Sequence, residues 1–260
     1  MPEVVGERAA VGDERTGRGV AVVTGASVGI GAATARALAA AGFSVVLGAR
    51  RVELLDQVAE SMGGVALALD VTDPGSVATF AGRVPAARVL VNNAGGAFGR
   101  EPIAEGDEEG WRRMYEVNVL GTLRMTKAFL PKLEASGEGH VVIVGSIAGF
   151  EPYPGGAGYT GAKHAERAFT RTLRLELLGK PIRVTEVSPG LVGGTEFSLV
   201  RFGGDEEKAR QVYRGVTPLA PEDVADCIAW AVTRPSHVNV DEIVVRPLAQ
   251  ATARDISRRS

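Results

Sequence analysis

At 260 residues and 45% hydrophobic content, the chain is long enough for one large domain or two small ones with a full core. A formal net charge of −2 leaves no basic surplus for a nucleic-acid backbone, and no apolar run approaches the length of a membrane-spanning helix. The single cysteine, Cys227, excludes an intramolecular disulfide and points to a reducing, cytoplasmic setting, while the 3 histidines lie too far apart for metal-ligand spacing.

The first 18 residues, MPEVVGERAAVGDERTGR, mix both charges with small residues and lack a hydrophobic signal core. They read as a flexible tail ahead of one domain at 19–260. VAVVT (20–24) predicts the first strand, and TGASVGIGAATARALAAAG follows it with Gly25, Gly29 and Gly31 in G-x-x-x-G-x-G spacing. Glycines in that pattern let the chain turn tightly and bring backbone N–H groups at a helix N-terminus up to a pyrophosphate. The strand before and the helix after supply the context that such a motif needs; a purely structural glycine turn is the alternative.

SVVLG (44–48) predicts the second strand, which runs on into Ala49-Arg50-Arg51. A dinucleotide fold that prefers NAD places an acid here for the ribose 2′-hydroxyl. No acid is present, and a guanidinium suits a 2′-phosphate, so the reading is NADP(H). Arg50 is the expected main contact, with Arg51 assisting; the alternative is that the pair only decorates the next helix. VALAL (65–69) predicts the third strand, and Asp70 behind it either faces the adenine or caps the following helix.

RVLVN (88–92), HVVIVG (140–145), IRVTEV (182–187) and EIVVR (242–246) complete the set of nearly continuous apolar runs. Runs of this kind suit strands buried on both faces. Amphipathic stretches separate them, the two longest over 107–136 and 159–178. The alternation predicts a Rossmann-type, doubly wound α/β fold: a parallel sheet of about seven strands with helices on both faces.

YTGAK (159–163) places Tyr159 and Lys163 one helical turn apart, on one face. A positive charge near a phenol favours the phenolate and lowers a pKa that is normally about 10. A tyrosine so tuned can exchange a proton with an alcohol near neutral pH. Taken alone, such a pair arises often by chance, and a solvated helix face is then the favoured reading.

With TGASVGIG, NNAG (92–95), Asn118, Ser146 and YTGAK in that order, the chain resembles the short-chain dehydrogenase/reductase family over residues 19–250. The resemblance implies that Tyr159 is the general acid/base and that Lys163 modifies its pKa and holds the nicotinamide ribose. It implies that Ser146 hydrogen-bonds the substrate oxygen, and that Asn118 holds a kinked helix and a proton-relaying water. Asn92 would bond backbone, with Ala94 and Gly95 close to the adenosine ribose. Pro189, Gly190, Val192 and Thr195 would hold the nicotinamide carboxamide. Ser27, Ile30 and Val71 join the implied cofactor contacts. Each residue singly also has an ordinary structural reading. Family likeness further implies a homotetramer, with the two long helices forming one interface and the last strand with RPLAQ (246–250) another.

A narrower likeness covers SPGLVGGTEFSLVRFGGDEEKARQVY (188–213) and the segment beyond residue 217. These resemble a subgroup of NADP-dependent dehydrogenases acting on serine and other 3-hydroxy acids, and related reductases of secondary metabolism. Val28 departs from the basic residue that many NADP enzymes of the family carry there. The expected activity is interconversion of an alcohol and a carbonyl on a small polar substrate. Arg201 is the candidate cation for an acid group, and Tyr153 a second pocket residue. Rival readings are an NAD-linked sugar or steroid dehydrogenase and a nucleotide-sensing regulator without catalysis. A serine hydrolase is disfavoured, because GSIAG is not the G-x-S-x-G elbow.

Overall fold

A computed structural model describes residues 17–259. Nearly all of the expected N-terminal tail therefore lies outside the described residues. Seven parallel strands form one sheet in the order β3-β2-β1-β4-β5-β6-β7. They are β1 (Val20–Thr24), β2 (Ser44–Ala49), β3 (Val65–Ala68), β4 (Val89–Asn92), β5 (Gly139–Val144), β6 (Ile182–Pro189) and β7 (Glu242–Val245). Each predicted run is a strand, with ends within two residues of the expectation.

Helices α1 (Gly29–Ala40), α2 (Val52–Glu60) and α9 (Pro221–Val232) cover one face of the sheet, and α3 (Pro74–Gly82), α5 (Gly121–Ala135) and α6 (Ala157–Glu176) the other. Strand alternation divides the core between them. Ala21 and Val23 of β1 meet Leu38, Leu55 and Ile228, while Val20 and Val22 meet Phe80, Met125 and Phe129. The Phe80 and Phe129 rings lie 6.1 Å apart at 58°. Burying a side chain of that size contributes about 1.5–3 kcal/mol relative to leaving it exposed.

The stretch expected as one helix over 107–136 has three parts: α4 (Glu108–Tyr115), a π-helical turn (Glu116–Leu120) and α5. Asn118 lies in that turn, where its amide donates to Met114 O at 2.7 Å and to Gly96 O at 2.9 Å, and its Oδ1 accepts from Gly96 N–H at 3.2 Å. A side chain bonded on both sides fixes the bulge and ties the helix to the loop after β4. Asp107, in the acidic stretch before α4, caps it by accepting from Gly110 N–H at 2.9 Å. Two short helices, α7 (Phe197–Arg201) and α8 (Glu206–Tyr213), stand beyond the carboxyl end of β6.

The chain leaves β1 towards β2 and β3, then returns to place β4 on the other side of β1. Loops leaving adjacent strands in opposite directions open a crevice at the strands' carboxyl ends. That crevice is the site described next.

Candidate active site

A cavity of about 1010 Å³ occupies the crevice. Its floor begins with the first turn, where Gly25 has φ +65° and an added Cβ would lie 2.9 Å from Ala94 Cα. Gly31 does not line the cavity; a Cβ there would meet Gly25 O at 2.4 Å, so its place is close packing beneath the turn. α1 starts at Gly29 with no side-chain cap and no acid in its first turn. Its leading N–H groups and partial positive charge therefore face the cavity beside Ser27, Gly29 and Ile30. These features suit a pyrophosphate.

Arg50 and Arg51 reach the cavity from the end of β2. The Arg51 guanidinium meets the Glu196 carboxylate at 2.6 and 2.9 Å and comes within 3.5 Å of Ser27 Oγ. Asp70 and Val71 line the wall behind β3. Asp70 Oδ1 accepts from Thr72 N–H at 2.9 Å and from Thr72 O–H at 2.7 Å, while the cap of α3 is Asp73. Burial would raise the Asp70 carboxyl, but these Thr72 bonds and the Arg50 charge hold it below its usual value. Of the two readings of Asp70, the helix cap is thus excluded.

Ala94 and Gly95 line the cavity and Asn92 does not. The Asn92 amide is buried and donates to the Thr126 hydroxyl at 3.2 Å, not to backbone as expected. Its neighbour Asn93 makes the backbone contacts, donating to Thr24 O at 2.9 Å and Gly25 O at 3.2 Å. One step along the strand end turns the side chain to the other face, which separates the two roles.

Asn118, Ser146, Tyr159 and Lys163 also line the cavity. Ser146 lies two residues past the end of β5, before a 3-10 turn, and accepts from Ala148 N–H at 3.1 Å. Tyr159 and Lys163 project from α6, both buried, and the ammonium donates to Val144 O at 3.0 Å and to Glu166 Oε2 at 2.5 Å. Burial pushes the Tyr159 phenol above its ordinary value. Lys163 and a hydrogen bond with Ser146 pull it down, Tyr153 and Glu166 push it up, and the net direction is up. The lowered phenol expected from YTGAK is not found: the same burial that hides the pair from water penalises the phenolate, and the lysine's charge is shared with a carboxylate.

Pro189, Gly190, Val192 and Thr195 line the opposite wall, where Leu191 N–H is held by Gln250 Oε1 at 2.8 Å and Val192 O by the Tyr213 hydroxyl at 3.0 Å. Arg201 is buried beside Tyr153 and Tyr159. It donates to the Tyr153 hydroxyl at 2.8 Å, to Gly99 O at 3.0 Å and to Gly155 O at 3.4 Å. No ion pair of Arg201 occurs among the described residues, and its guanidinium carbon lies 5.8 Å from the Tyr159 ring centre. Sequence reasoning missed Glu196, Phe197 and the C-terminal residues Ala253, Ile256 and Arg258, which border the cavity, and Glu166, which lies behind Lys163. For Glu166 a signal existed, three positions after Lys163 on the same helix.

The short chain dehydrogenase family pattern matches residues 19–201. The chain belongs to that family. An uncharacterized oxidoreductase of Mycobacterium tuberculosis strain H37Rv is 58% identical to this chain over 245 residues, covering 94% of this chain and 96% of its own. The NADP-dependent 3-hydroxy acid dehydrogenase YdfG of Escherichia coli K12 is 38% identical over 240 residues, covering 90% and 97%. Among solved structures, the closed form of a serine dehydrogenase complexed with NADP+ superposes with a TM-score of 0.87 at 38% identity, covering 93% of this chain and all of that one. Among the described residues, no helix is long and apolar enough to cross a membrane, and no cluster of three or more His, Cys, Asp or Glu could hold a metal ion.

Proposed function

We propose that this dehydrogenase uses NADP(H) to interconvert an alcohol and a carbonyl on a small polar substrate that carries a carboxylate, with a 3-hydroxy acid as the type case. The observation that carries the reading is Arg201, a buried guanidinium with no carboxylate partner among the described residues, held against Tyr153 beside Tyr159. A cation so placed is a ready partner for an acid group, which it would anchor while the carbon bearing oxygen lies at Tyr159.

NADP(H) supplies the hydride. The α1 N-terminus and the glycine turn fit its pyrophosphate, and Arg50 with Arg51 its 2′-phosphate. Tyr159 gives the proton to the developing alkoxide in reduction and removes it in oxidation. Ser146 donates a second hydrogen bond to the same oxygen. Lys163 stabilises the phenolate while Asn118 holds the loop of Gly96 and the bulged helix against it. Pro189, Gly190, Val192 and Thr195 border the nicotinamide end. NADP-dependent relatives and the likeness to an NADP+-bound serine dehydrogenase support the cofactor assignment. A related reductase role on an aldehyde of secondary metabolism uses the same groups.

The reading includes a cytoplasmic homotetramer. Trp111, Tyr115 and Leu123 stand exposed on α4 and α5, Leu175 on α6, and Val244 and Leu248 at the end of the sheet, which supports two contact faces.

The test is a panel of 3-hydroxy acids and uncharged alcohols of similar size, each offered with NADP+ and with NAD+. Acids turn over best, with NADP+. Arg201→Ala raises KM for the acids about 10- to 100-fold and leaves the uncharged alcohols nearly unchanged. Equal losses on both sets would show that Arg201 only supports the fold.

A further inference from the structure

Behind Lys163, out of the cavity, lies a carboxylate that the proposed chemistry does not use. Glu166 is 2% exposed and its Oε2 is 2.5 Å from Lys163 Nζ. Its Oε1 lies 3.2 Å from the Thr122 hydroxyl of α5, which also faces Asn118 O at 2.7 Å. Burying a carboxylate is costly unless it is paired and hydrogen-bonded; here Lys163 pairs with it and the Thr122 hydroxyl lies within hydrogen-bond distance.

Building on the proposed function, we infer that Glu166 is a positioning residue: it is the counter-charge of Lys163 and thereby makes Tyr159 a weaker acid, and its phenolate a stronger base, than an unpaired ammonium would. The reasoning is electrostatic. An ammonium alone presents a full positive charge to the phenol, whereas an ammonium with a carboxylate at contact presents a dipole, whose field falls off faster. Glu166 also holds the ammonium in its charged form. Burial alone would lower the Lys163 pKa, and the Glu166 charge is the largest influence raising it. The other charged or titratable groups facing this cluster are Tyr153 from the loop before α6, Glu186 of β6 and Arg201 of α7. Arg167 of α6 lies between Glu186 and Glu242 of β7, so its charge is already compensated.

Removing a negative charge lowers the pKa of every neighbouring acid, so the sign of the effect is the same for Tyr159 and Lys163. In Glu166→Gln the rising limb of the pH profile of alcohol oxidation moves to lower pH. On the rising limb the variant reaches about threefold or more of the parent's fraction of its own plateau rate at the same pH. A substrate-free reading accompanies it: near-ultraviolet difference titration of the phenolate in parent and variant, each blanked by the same protein carrying Tyr159→Phe. The step that the blank removes lies at lower pH in Glu166→Gln. Glu166→Met, which removes the same charge with an apolar side chain of similar length, moves the step the same way, and it decides the question should Glu166→Gln not fold. A step that stays in place or moves up in the folded variant overturns the inference, and Glu166 is then a core ion pair. Lack of turnover on every hydroxy acid would instead strike at the proposed substrate, since the phenolate titration needs none.

Discussion

Arg51 spans the cavity mouth to Glu196, joining the end of β2 to the start of α7 through contacts of 2.6 and 2.9 Å. The carboxylate occupies a partner that the proposed function gives to a phosphate. Glu196 then competes with the cofactor for Arg51, and both side chains are nearly half exposed, so the bridge is modest, about 0.2–1 kcal/mol. Glu196→Gln should tighten NADPH by about two- to fivefold and leave NADH unchanged, as measured by nicotinamide fluorescence titration. Weaker NADPH binding in that variant would mean that the bridge shapes the site instead of competing for it.

Arg50 differs in having no ion pair among the described residues. Arg50→Ala should cost about 1.5–3 kcal/mol, roughly 10- to 100-fold, in NADPH affinity while NADH affinity barely changes. Equal losses would assign the arginine to the fold.

How much of this was legible in the sequence follows from the range of each interaction. The seven strands were, because burial on both faces writes a continuous apolar run into four to eight local residues. The family motifs were, and so was NADP(H), because Arg50 and Arg51 directly follow a recognisable strand. The π-helical turn was not legible in the local pattern, because its cause is Asn118 bonding to Gly96, 22 positions earlier; the kinked helix at Asn118 came only from the family resemblance. Glu196 was hidden for the same reason, being 145 positions from Arg51. The direction of the Tyr159 shift failed on burial, since the i, i+4 spacing reports proximity to Lys163 and nothing of the desolvation that opposes it.

His140 gives a test of stability. It is fully buried on β5, and Thr185, which donates to Val240 O at 2.7 Å, must accept from its Nε2–H at 2.8 Å. Nδ1 has no partner among the described residues. Burial, helped by the Arg183 charge, holds the His140 pKa well below its ordinary value. The unfolded chain therefore binds a proton below about pH 6.5 that the folded chain refuses, and stability falls with falling pH by up to about 1.4 kcal/mol per pH unit. Urea unfolding at a series of pH values should show this slope reduced by about one proton in His140→Leu. An unchanged slope would assign the acid sensitivity to other groups.

Assembly is tested by light scattering at micromolar concentration, where a species of four chains is expected. Leu175→Glu, at a side chain 76% exposed on α6, should reduce it to a smaller one with the secondary structure intact. A parent protein that is only monomeric would remove the tetramer from the proposal.

The last prediction concerns Tyr159 and Lys163, which should fail differently. Tyr159→Phe removes the transferable proton and leaves the ammonium's bonds to Val144 O and Glu166, so NADPH should still bind while turnover falls about 10²- to 10⁴-fold. Lys163→Ala should weaken turnover and cofactor binding together. It also strands Glu166 without its cation, and breaking a buried pair in this way costs about 3–5 kcal/mol, so a loss of stability should accompany it. The pH dependence carries a sign. Because burial raises the Tyr159 pKa, the neutral phenol persists at neutral pH, ready to donate. Carbonyl reduction should therefore run on a plateau at neutral pH and decline as the phenol ionises, while alcohol oxidation, which needs the phenolate, climbs over the same interval. Both should lose that dependence in whatever rate Tyr159→Phe retains. Near-normal turnover by Tyr159→Phe on any good substrate would remove Tyr159 from the chemistry and leave YTGAK as the packed face of α6.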